Sequence, residues 1–286
     1  MTSSFRRLLA VAALLVPLAA AAGCAPAETT PTDAQATCEP GALPTLTDGT
    51  LTFGTDQPVY PPWYLDDDPA SGEGFEGAVA YAIAEELGYA RDRVTWVRVP
   101  FNAAIQPGPK TYDVNLTEFS ITEERRRAVD FSSPYYDVKQ AVIALEGTPA
   151  AAATTIAQLK ELRVGAQVGT TSLEAVSEQI APAAGPAVFN TNDDAKLALT
   201  NGQIDALVVD LPTAFYITSA ELDNGTIVGQ LPLGGGTPEQ FGAVLDLGSP
   251  LTGCVSQAVD RLRDAGTLAQ LEAQWLASAG SAPELR

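Results

Sequence analysis

Residues 112–136 read YDVNLTEFSITEERRRAVDFSSPYY and contain the most specific pattern in the chain. Ser120 and Glu123 have the spacing of a capping box, so helix initiation alone would account for them. The alternative is a ligand site, in which the hydroxyl of Ser120 and the guanidinium of Arg125 meet a carboxylate, because arginine offers a two-pronged donor that lysine lacks. The residue types by themselves favour helix initiation, with Arg125 to Arg127 on an exposed face.

Strand and helix patterns alternate on both sides of this stretch. Leu51 to Gly54 predicts a strand, and Val79, Ile83 and Leu87 fall on one face of a helix that ends at Gly88. Further segments predict strands at 94–99, 141–145, 163–168 and 204–209, and helices at 172–180, 254–265 and 267–277. The alternation predicts an α/β fold with largely parallel sheets, in which ligands lie beyond the carboxyl ends of strands.

Polar residues follow several of these strands. Asp56 comes after the first one, and Thr170 and Thr171 follow Gly169 in a turn whose amides and hydroxyls suit an anion. The same turn could equally be a common glycine turn. Asp210 ends a buried strand, where it would either hold an ammonium group or cap the next segment.

The composition excludes several classes of function. The chain has 286 residues, of which 35 are acidic, 16 are basic and none is histidine. Without histidine there is no Ser-His-Asp or Cys-His catalytic group and no His-ligated metal site, and we expect neither a metal nor a cofactor. A formal net charge of -19 repels phosphate backbones, so nucleic acid is not expected as a partner.

The N-terminus has the pattern of an export signal. Two arginines precede an apolar run at 8–22 that is too short to span a bilayer, and Ala-Ala-Gly then leads to Cys24. This resembles a bacterial lipoprotein signal, with cleavage of residues 1–23 and lipid such as palmitate on Cys24. An ordinary secretory signal is the alternative. Residues 24–45 are rich in Ala, Thr and Pro and predict a flexible tether.

The other two cysteines, Cys38 and Cys254, form the natural disulfide pair of an exported protein. Two free thiols are the alternative. A disulfide would attach the incoming N-terminus to the C-terminal part of the fold.

The motifs in their order resemble the amino-acid-binding extracellular solute-binding proteins of family 3, the ligand-capture subunits of bacterial ABC importers. The resemblance runs from Gly49 to Leu276. Its markers are Leu51-Thr52-Phe53-Gly54-Thr55-Asp56, Gly74-Phe75-Glu76, Ser120-x-Thr122-x-x-Arg125, Asp130-Phe131-Ser132-x-Pro134-Tyr135, Val168-Gly169-Thr170-Thr171 and Asn201-Gly202-Gln203-Ile204-Asp205-Ala206.

The resemblance implies a two-lobed α/β periplasmic-binding-protein fold of type II, with two crossover strands as the hinge. Lobe 1 would comprise 46–140 and 244–286, and lobe 2 would comprise 141–243. It also implies a monomer, lipid-anchored to the outer face of the cytoplasmic membrane, that binds a free amino acid. The protein would pass this ligand to permease transmembrane subunits that work with a cytoplasmic ATPase.

The resemblance further implies roles for individual residues. Arg125 would pair with the ligand α-carboxylate, helped by Ser120 and by Thr171 with its neighbouring amides, and Thr170 would also belong to the ligand site. Asp210 would take the α-ammonium group. Tyr60 and Phe101 would sandwich the ligand side chain, and Asp56 would contact its polar end. By residue type alone, the two aromatic residues could equally fill the core.

Glu118 departs from the family pattern, which has small or amide residues at this position within reach of the ligand. A buried extra carboxylate is costly unless a cation meets it, so we expect a cationic ligand such as lysine, ornithine or arginine. The alternatives are that Glu118 pairs with Lys139 or Lys196 of the protein, or only helps to hold the ammonium group.

Two other functions are compatible with this fold. Dehydratases acting on prephenate-like acids use it, and Glu118 would then be a general acid. A ligand-sensing subunit of a membrane receptor would need a separate membrane partner. The intact pattern for binding a zwitterion favours a binding protein that is not an enzyme.

Overall fold

The computed structural model describes residues 38–233, 238–276 and 282–286. The predicted signal peptide, Cys24 and most of the predicted tether lie outside these residues. The strands are β1 (Leu51–Thr55), β2 (Val94–Arg98), β3 (Val114–Asn115), β4 (Val129–Phe131), β5 (Tyr136–Val138), β6 (Gln140–Leu145), β7 (Val164–Gln167), β8 (Ala187–Phe189), β9 (Ala206–Asp210), β10 (Gly225–Gln230), β11 (Glu239–Phe241) and β12 (Val244–Asp246).

The α-helices are α1 (Phe75–Glu86), α2 (Phe101–Ala104), α3 (Ile156–Leu159), α4 (Thr171–Ala175), α5 (Asn192–Thr200), α6 (Leu211–Tyr216), α7 (Thr252–Asp264) and α8 (Thr267–Trp275). In the described part of the chain, none of the helices has the length and apolar character needed to cross a membrane.

Two five-stranded sheets organise the molecule. The first sheet has the order β2-β1-β3-β12-β4 and the second has the order β10-β6-β9-β7-β8. The chain passes from the first sheet to the second through β5 and returns through β11, and these two strands pair with each other in antiparallel fashion. This is the two-lobed α/β arrangement with two crossover strands that the resemblance implies.

The sheets are mixed rather than largely parallel, which corrects the expectation from strand–helix alternation. Pairs such as β1 with β2 and β7 with β9 are parallel, but β12 and β6 run antiparallel to their neighbours. The reason is topological. Both antiparallel strands are the ones that the chain forms directly after a crossover strand, so they enter their sheets from the opposite end and not through a connecting helix.

Most predicted elements are present, but the helix expected after Ser120 is not. Ser120 forms a single β-bridge to Phe241, and only a short 3-10 turn follows, at Arg125–Arg127. The predicted helix at 172–180 is α4 followed by a π-helical turn at Val176–Ile180. Capping therefore does not account for the Ser120 motif, because its backbone is held by the return strand.

Both ends of the described chain pack on the body. Cys38 and Cys254 are joined by a disulfide bond of 2.04 Å, and Leu43 is buried in the core of the first sheet. The last part of the predicted tether, 38–45, is therefore held against the fold, because this bond and the burial of Leu43 fix it.

The C-terminal residues differ from the predicted lobe boundary. Leu268 and Leu276 of the α8 region belong to the core of the first sheet. Residues 282–286 instead lie along β10, and Leu285 is buried in the core of the second sheet. The amide of Leu285 donates to the carbonyl of Gln230, and the amide of Gln230 donates to the carbonyl of Pro283. Leu276 thus belongs to the first sheet, and the next described residue, Ala282, lies beside the second sheet.

Candidate functional site

A cavity of about 310 Å³ lies where the carboxyl ends of β1, β7 and β9 meet the start of α2. Eight of the nine predicted ligand residues line it, and these are Asp56, Tyr60, Phe101, Glu118, Arg125, Thr170, Thr171 and Asp210. Ser120 is buried behind this wall, with its hydroxyl oxygen 3.2 Å from that of Thr171. The fold therefore brings together segments that are up to 154 residues apart (56 to 210).

Arg125 is the buried cation of this wall. Its Nη1 donates to the carbonyl oxygen of Ser120 at 2.8 Å, and its Nη2 donates to that of Gly169 at 2.9 Å. The guanidinium carbon also lies 5.6 Å from the centre of the Phe101 ring. Burial lowers the pKa of Arg125, and the nearby carboxylates of Glu239 and Asp210 oppose that shift. The two backbone bonds fix the plane of the guanidinium, so its remaining donors have a fixed direction.

The turn before α4 is built by its own side chains. The hydroxyl of Thr170 caps α4 by accepting from the amide of Leu173 at 3.1 Å, and it donates to the carbonyl of Gln167 at 2.7 Å. Gly169 has φ of 75°, and a β-carbon there would collide with the side chain of Asn102 on the other side of the cleft. The Thr170 hydroxyl therefore shapes the turn, while its position lines the cavity.

A residue that the sequence analysis did not identify, Glu239, sits beside these groups. Its Oε1 accepts short hydrogen bonds from the hydroxyls of Ser120 and Thr171, and its Oε2 accepts from Nε2 of Gln140 at 2.9 Å. Nothing in the local sequence around β11 indicates this role. Only the return of the crossover strand brings Glu239 to hydroxyls 119 and 68 residues away.

Glu118 lies on the same cavity wall. Its backbone is left-handed, with φ of 53°, and its amide donates to Oε1 of Glu76 at 2.7 Å. Its Oε2 accepts from the hydroxyl of Thr213 at 2.9 Å. Within the described ranges no lysine or arginine lies within 4.0 Å of its carboxylate, and Lys196 instead pairs with Asp193 and Glu221.

Burial raises the pKa of Glu118 well above its usual value, and the neighbouring carboxylates of Asp210 and Glu76 raise it further. The pairing of Glu118 with Lys196 that the sequence left open is thus not formed, because that lysine is engaged elsewhere. No ion pair joins Glu118 to Lys139 in the described part of the chain.

Asp210 ends β9 at the opposite side of the cavity. Its Oδ1 accepts from Nε2 of Gln140 at 2.7 Å, and the same nitrogen also donates to Glu239. Burial raises the pKa of Asp210 well above its usual value, and Glu239 contributes to the increase while the hydrogen bond from Gln140 opposes it. Gln140 thus links the predicted ammonium partner to the crossover strand.

Glu76 forms a second layer beneath Glu118. It is fully buried, and its Oε1 also accepts a short hydrogen bond from the hydroxyl of Tyr135, while its Oε2 has no hydrogen-bond partner. Burial raises the pKa of Glu76 to about 7, against the opposing effect of these donors. Its carboxylate fixes the left-handed backbone from which Glu118 projects.

Two further predicted residues, Tyr60 and Asp56, line the cavity, and Trp63 lies in the same loop after β1. The hydroxyl of Tyr60 donates to Oδ2 of Asp193 at 2.5 Å, which connects the loop after β1 to α5. Asp56 accepts from the amide of Gln57 at 2.7 Å, and burial raises its pKa against that bond. Nε1 of Trp63 donates to the hydroxyl of Thr213 at 2.8 Å. Both aromatic residues therefore make bonds that cross from one side of the cleft to the other.

The site as a whole contains more acid than base. Among the described residues that line the cavity, Arg125 is the one basic residue. The acidic residues of the lining are Asp56, Glu118, Asp193 and Asp210. Of these acids, Asp193 is paired with Lys196. The arrangement can accept one carboxylate at Arg125 and positive charge at Glu118 and Asp210.

Comparison with known proteins agrees with this geometry. Residues 51–278 match the family described as bacterial extracellular solute-binding proteins, family 3. An L-arginine-binding protein of Pseudomonas aeruginosa is 30% identical over 235 residues, which cover 77% of this chain and 88% of that protein.

Solved structures give a similar result. An ancestral arginine-binding protein bound to glutamine is 30% identical, with a TM-score of 0.66, and the match covers 80% of this chain and 98% of that one. An ancestral amino acid-binding protein described as a precursor of cyclohexadienyl dehydratase is 28% identical, with a TM-score of 0.64 and coverage of 79% and 94%.

Proposed function

The chain belongs to the bacterial extracellular solute-binding proteins of family 3, and from that premise we propose that it captures an amino acid with a cationic side chain for an ABC importer. The observation that carries the proposal is the partly buried pair of acids, Glu118 and Asp210, in a cavity whose lining includes the cation Arg125. The family membership itself supports amino-acid binding and an exported protein.

An amino acid would bind with its α-carboxylate at Arg125 and its α-ammonium group at Asp210. The two residues lie on segments of different sheets, since Arg125 precedes β4 and Asp210 ends β9. A ligand that contacts both has a higher affinity for the closed cleft than for an open one, and this difference in affinity is what drives closure. We propose that the lobes follow the two sheets, with β5 and β11 as the hinge.

The preference for a cationic side chain rests on Glu118. A carboxylate buried without a cation is costly, and the cost falls when a ligand ammonium or guanidinium group pairs with it. Asp56, which lines the same cavity, would contact the polar end of such a side chain, and Tyr60 and Phe101 would cover its apolar part. The relative from Pseudomonas aeruginosa is named as an L-arginine-binding protein, which supports this preference.

Titration calorimetry tests the proposal. The purified protein is titrated with each common amino acid and with ornithine. We expect tight binding of lysine, ornithine or arginine and weak binding of neutral and acidic amino acids. Tight binding of only neutral or acidic amino acids would contradict the cationic preference, and no binding of any amino acid would contradict the capture function itself.

We propose that the protein acts as a monomer at the outer face of the cytoplasmic membrane, held by lipid on Cys24, and delivers its ligand to a permease driven by a cytoplasmic ATPase. The sequence before Cys24 supports the anchor. Replacement of Cys24 by alanine should release the protein from the membrane fraction. A variant that stays in that fraction would contradict the lipid anchor.

One observation favours a second candidate, a dehydratase on the same fold. A partly buried Glu118 whose pKa is raised well above its usual value could act as a general acid. The solved structure described as a precursor of cyclohexadienyl dehydratase shares this fold. Incubation with a prephenate-like acid distinguishes the two functions, because an enzyme would release product while a binding protein leaves the acid unchanged.

A further inference from the structure

Glu239 makes a bridge between the two sides of the cleft. Ser120 lies between β3 and β4 of the first sheet, and Thr171 begins α4, which packs on β7 of the second sheet. Their hydroxyls both donate to the same oxygen, Oε1 of Glu239, which stands at the start of the crossover strand β11. All three groups belong to the chain, so the bridge needs no ligand.

The bridge also uses groups that an amino acid would need. A serine or threonine hydroxyl has a single hydrogen to donate. While Ser120 and Thr171 donate to Glu239, neither hydroxyl can donate to the α-carboxylate of a ligand, so these two donors of the predicted carboxylate site are occupied. The second oxygen of Glu239 is held by Gln140 at 2.9 Å, so the carboxylate is fixed at both ends.

We propose that Glu239 is a built-in carboxylate that ties the two walls of the cleft together before a ligand arrives and that a ligand carboxylate must displace. The first half concerns the protein alone, and the second half rests on the proposed function. Glu239 therefore favours the closed form of the protein without ligand and lowers the contribution of the ligand carboxylate to binding.

Small-angle X-ray scattering of the protein without ligand tests the first half. Glu239→Ala removes the bridge, so its radius of gyration should be larger than that of the wild type, and Glu239→Gln, which retains an acceptor, should be intermediate. Glu178→Ala is the matched control. Glu178 is an exposed acid that lines the same surface groove as Glu239, and it makes no bond to either hydroxyl. Circular dichroism establishes that each variant is folded.

Identical scattering from the wild type and both Glu239 variants would overturn the proposal. So would an equal opening in the Glu178→Ala control. These outcomes do not depend on which amino acid binds, so they are separate from a failure of the proposed function.

Calorimetry with two probes tests the second half. Arginine has the carboxylate, and agmatine is the same molecule without it. Loss of the bridge makes closure less favourable for both probes. The two released hydroxyls can bind only a carboxylate, so only arginine gains from them. Glu239→Ala should therefore raise the ratio of the agmatine dissociation constant to the arginine dissociation constant by tenfold or more. An unchanged or lowered ratio would overturn the displacement. If neither probe binds the wild type, the cationic preference fails, and the scattering result still decides whether Glu239 forms the bridge.

Discussion

The two ends of the cavity differ in how completely the protein satisfies its own charges. At the basic end, Arg125 already has two backbone carbonyls, and Glu239 lies close enough to oppose the loss of its charge. At the acidic end, Glu118 and Asp210 accept neutral hydrogen bonds from Thr213 and Gln140, and neither acid forms an ion pair within 4.0 Å in the described residues.

This difference shows where a ligand gains most. A group that approaches the basic end replaces interactions that the protein already makes, whereas a cation at the acidic end supplies one that the protein lacks. Selectivity should therefore arise mainly at the acidic end, and the basic end should act as a general anchor for an amino acid.

The largest expected effect comes from removing the anchor. Arg125→Ala should weaken amino-acid binding by about 2–5 kcal/mol, because the ligand carboxylate would be left without its charged partner. Calorimetry measures the loss. Arg126→Ala is the control, since Arg126 is half exposed, forms its ion pair with Glu123 and does not line the cavity. Equal affinity in wild type and Arg125→Ala would mean that the carboxylate is held elsewhere.

The second prediction concerns Glu76, which supports Glu118 from below, and the pH dependence of the free energy of unfolding. The pKa of Glu76 is about 7 in the folded protein and near 4.5 in an unfolded chain, so the folded form retains a proton that the unfolded form releases. The free energy of unfolding should therefore fall as pH rises from 4.5 to about 7, by on the order of 3 kcal/mol from this group.

Urea unfolding across that pH range measures the slope. Glu76→Gln, which cannot ionise but keeps an acceptor for Tyr135 and the amide of Glu118, should make it shallower, and the raised pKa values of Glu118 and Asp210 account for the remainder. Glu73→Gln, at an exposed acid nearby, should leave the slope unchanged. A slope in Glu76→Gln as steep as in the wild type would show that Glu76 contributes nothing to the pH dependence.

A smaller effect tests selectivity directly. Glu118→Gln should weaken binding of a cationic amino acid by about 1.5–3 kcal/mol, the usual contribution of a hydrogen bond to a charged group, and should leave binding of neutral ones nearly unchanged. Glu123→Gln serves as the control, because its side chain is 94% exposed. A parallel loss for cationic and neutral ligands would show that Glu118 only helps to hold the ammonium group.

The smallest effect concerns Thr213, which donates to Glu118 and accepts from Trp63. Thr213→Val keeps the shape of the side chain but removes both bonds, so it should change affinity for a cationic ligand by about 1 kcal/mol. Calorimetry at one pH suffices. A loss as large as that of Glu118→Gln would indicate that Thr213 contacts the ligand itself.

The sequence allowed the elements that carry the site to be predicted, because periodic apolar residues define β1, α1 and β9 and polar residues mark the ends of the strands. It also led to the residues around Arg125, since their spacing resembles a known family. Antiparallel entry of β6 and β12 could not be predicted, because it depends on where the crossover strands attach and not on any local pattern.

Glu239 and Gln140 were missed for the same reason. Each lies on or beside a crossover strand, and their partners are 32 to 119 residues away in the chain. A hydrogen-bond network of this kind is defined by the meeting of separate segments, and the sequence contains no signal for it. The prediction of a helix starting at Ser120 was wrong, because the β-bridge to Phe241 holds this backbone in place of a helix cap.

Leu276 lies in the core of the first sheet and Ala282 beside the second, and the short distance between them along the chain limits how far the two sheets can separate. Six peptide units separate these two residues, so their Cα atoms can never be more than about 23 Å apart. While residues 282–286 stay paired with β10, this distance also limits how far the two proposed lobes can separate at this point. The limit comes from covalent geometry and is the same with and without a ligand.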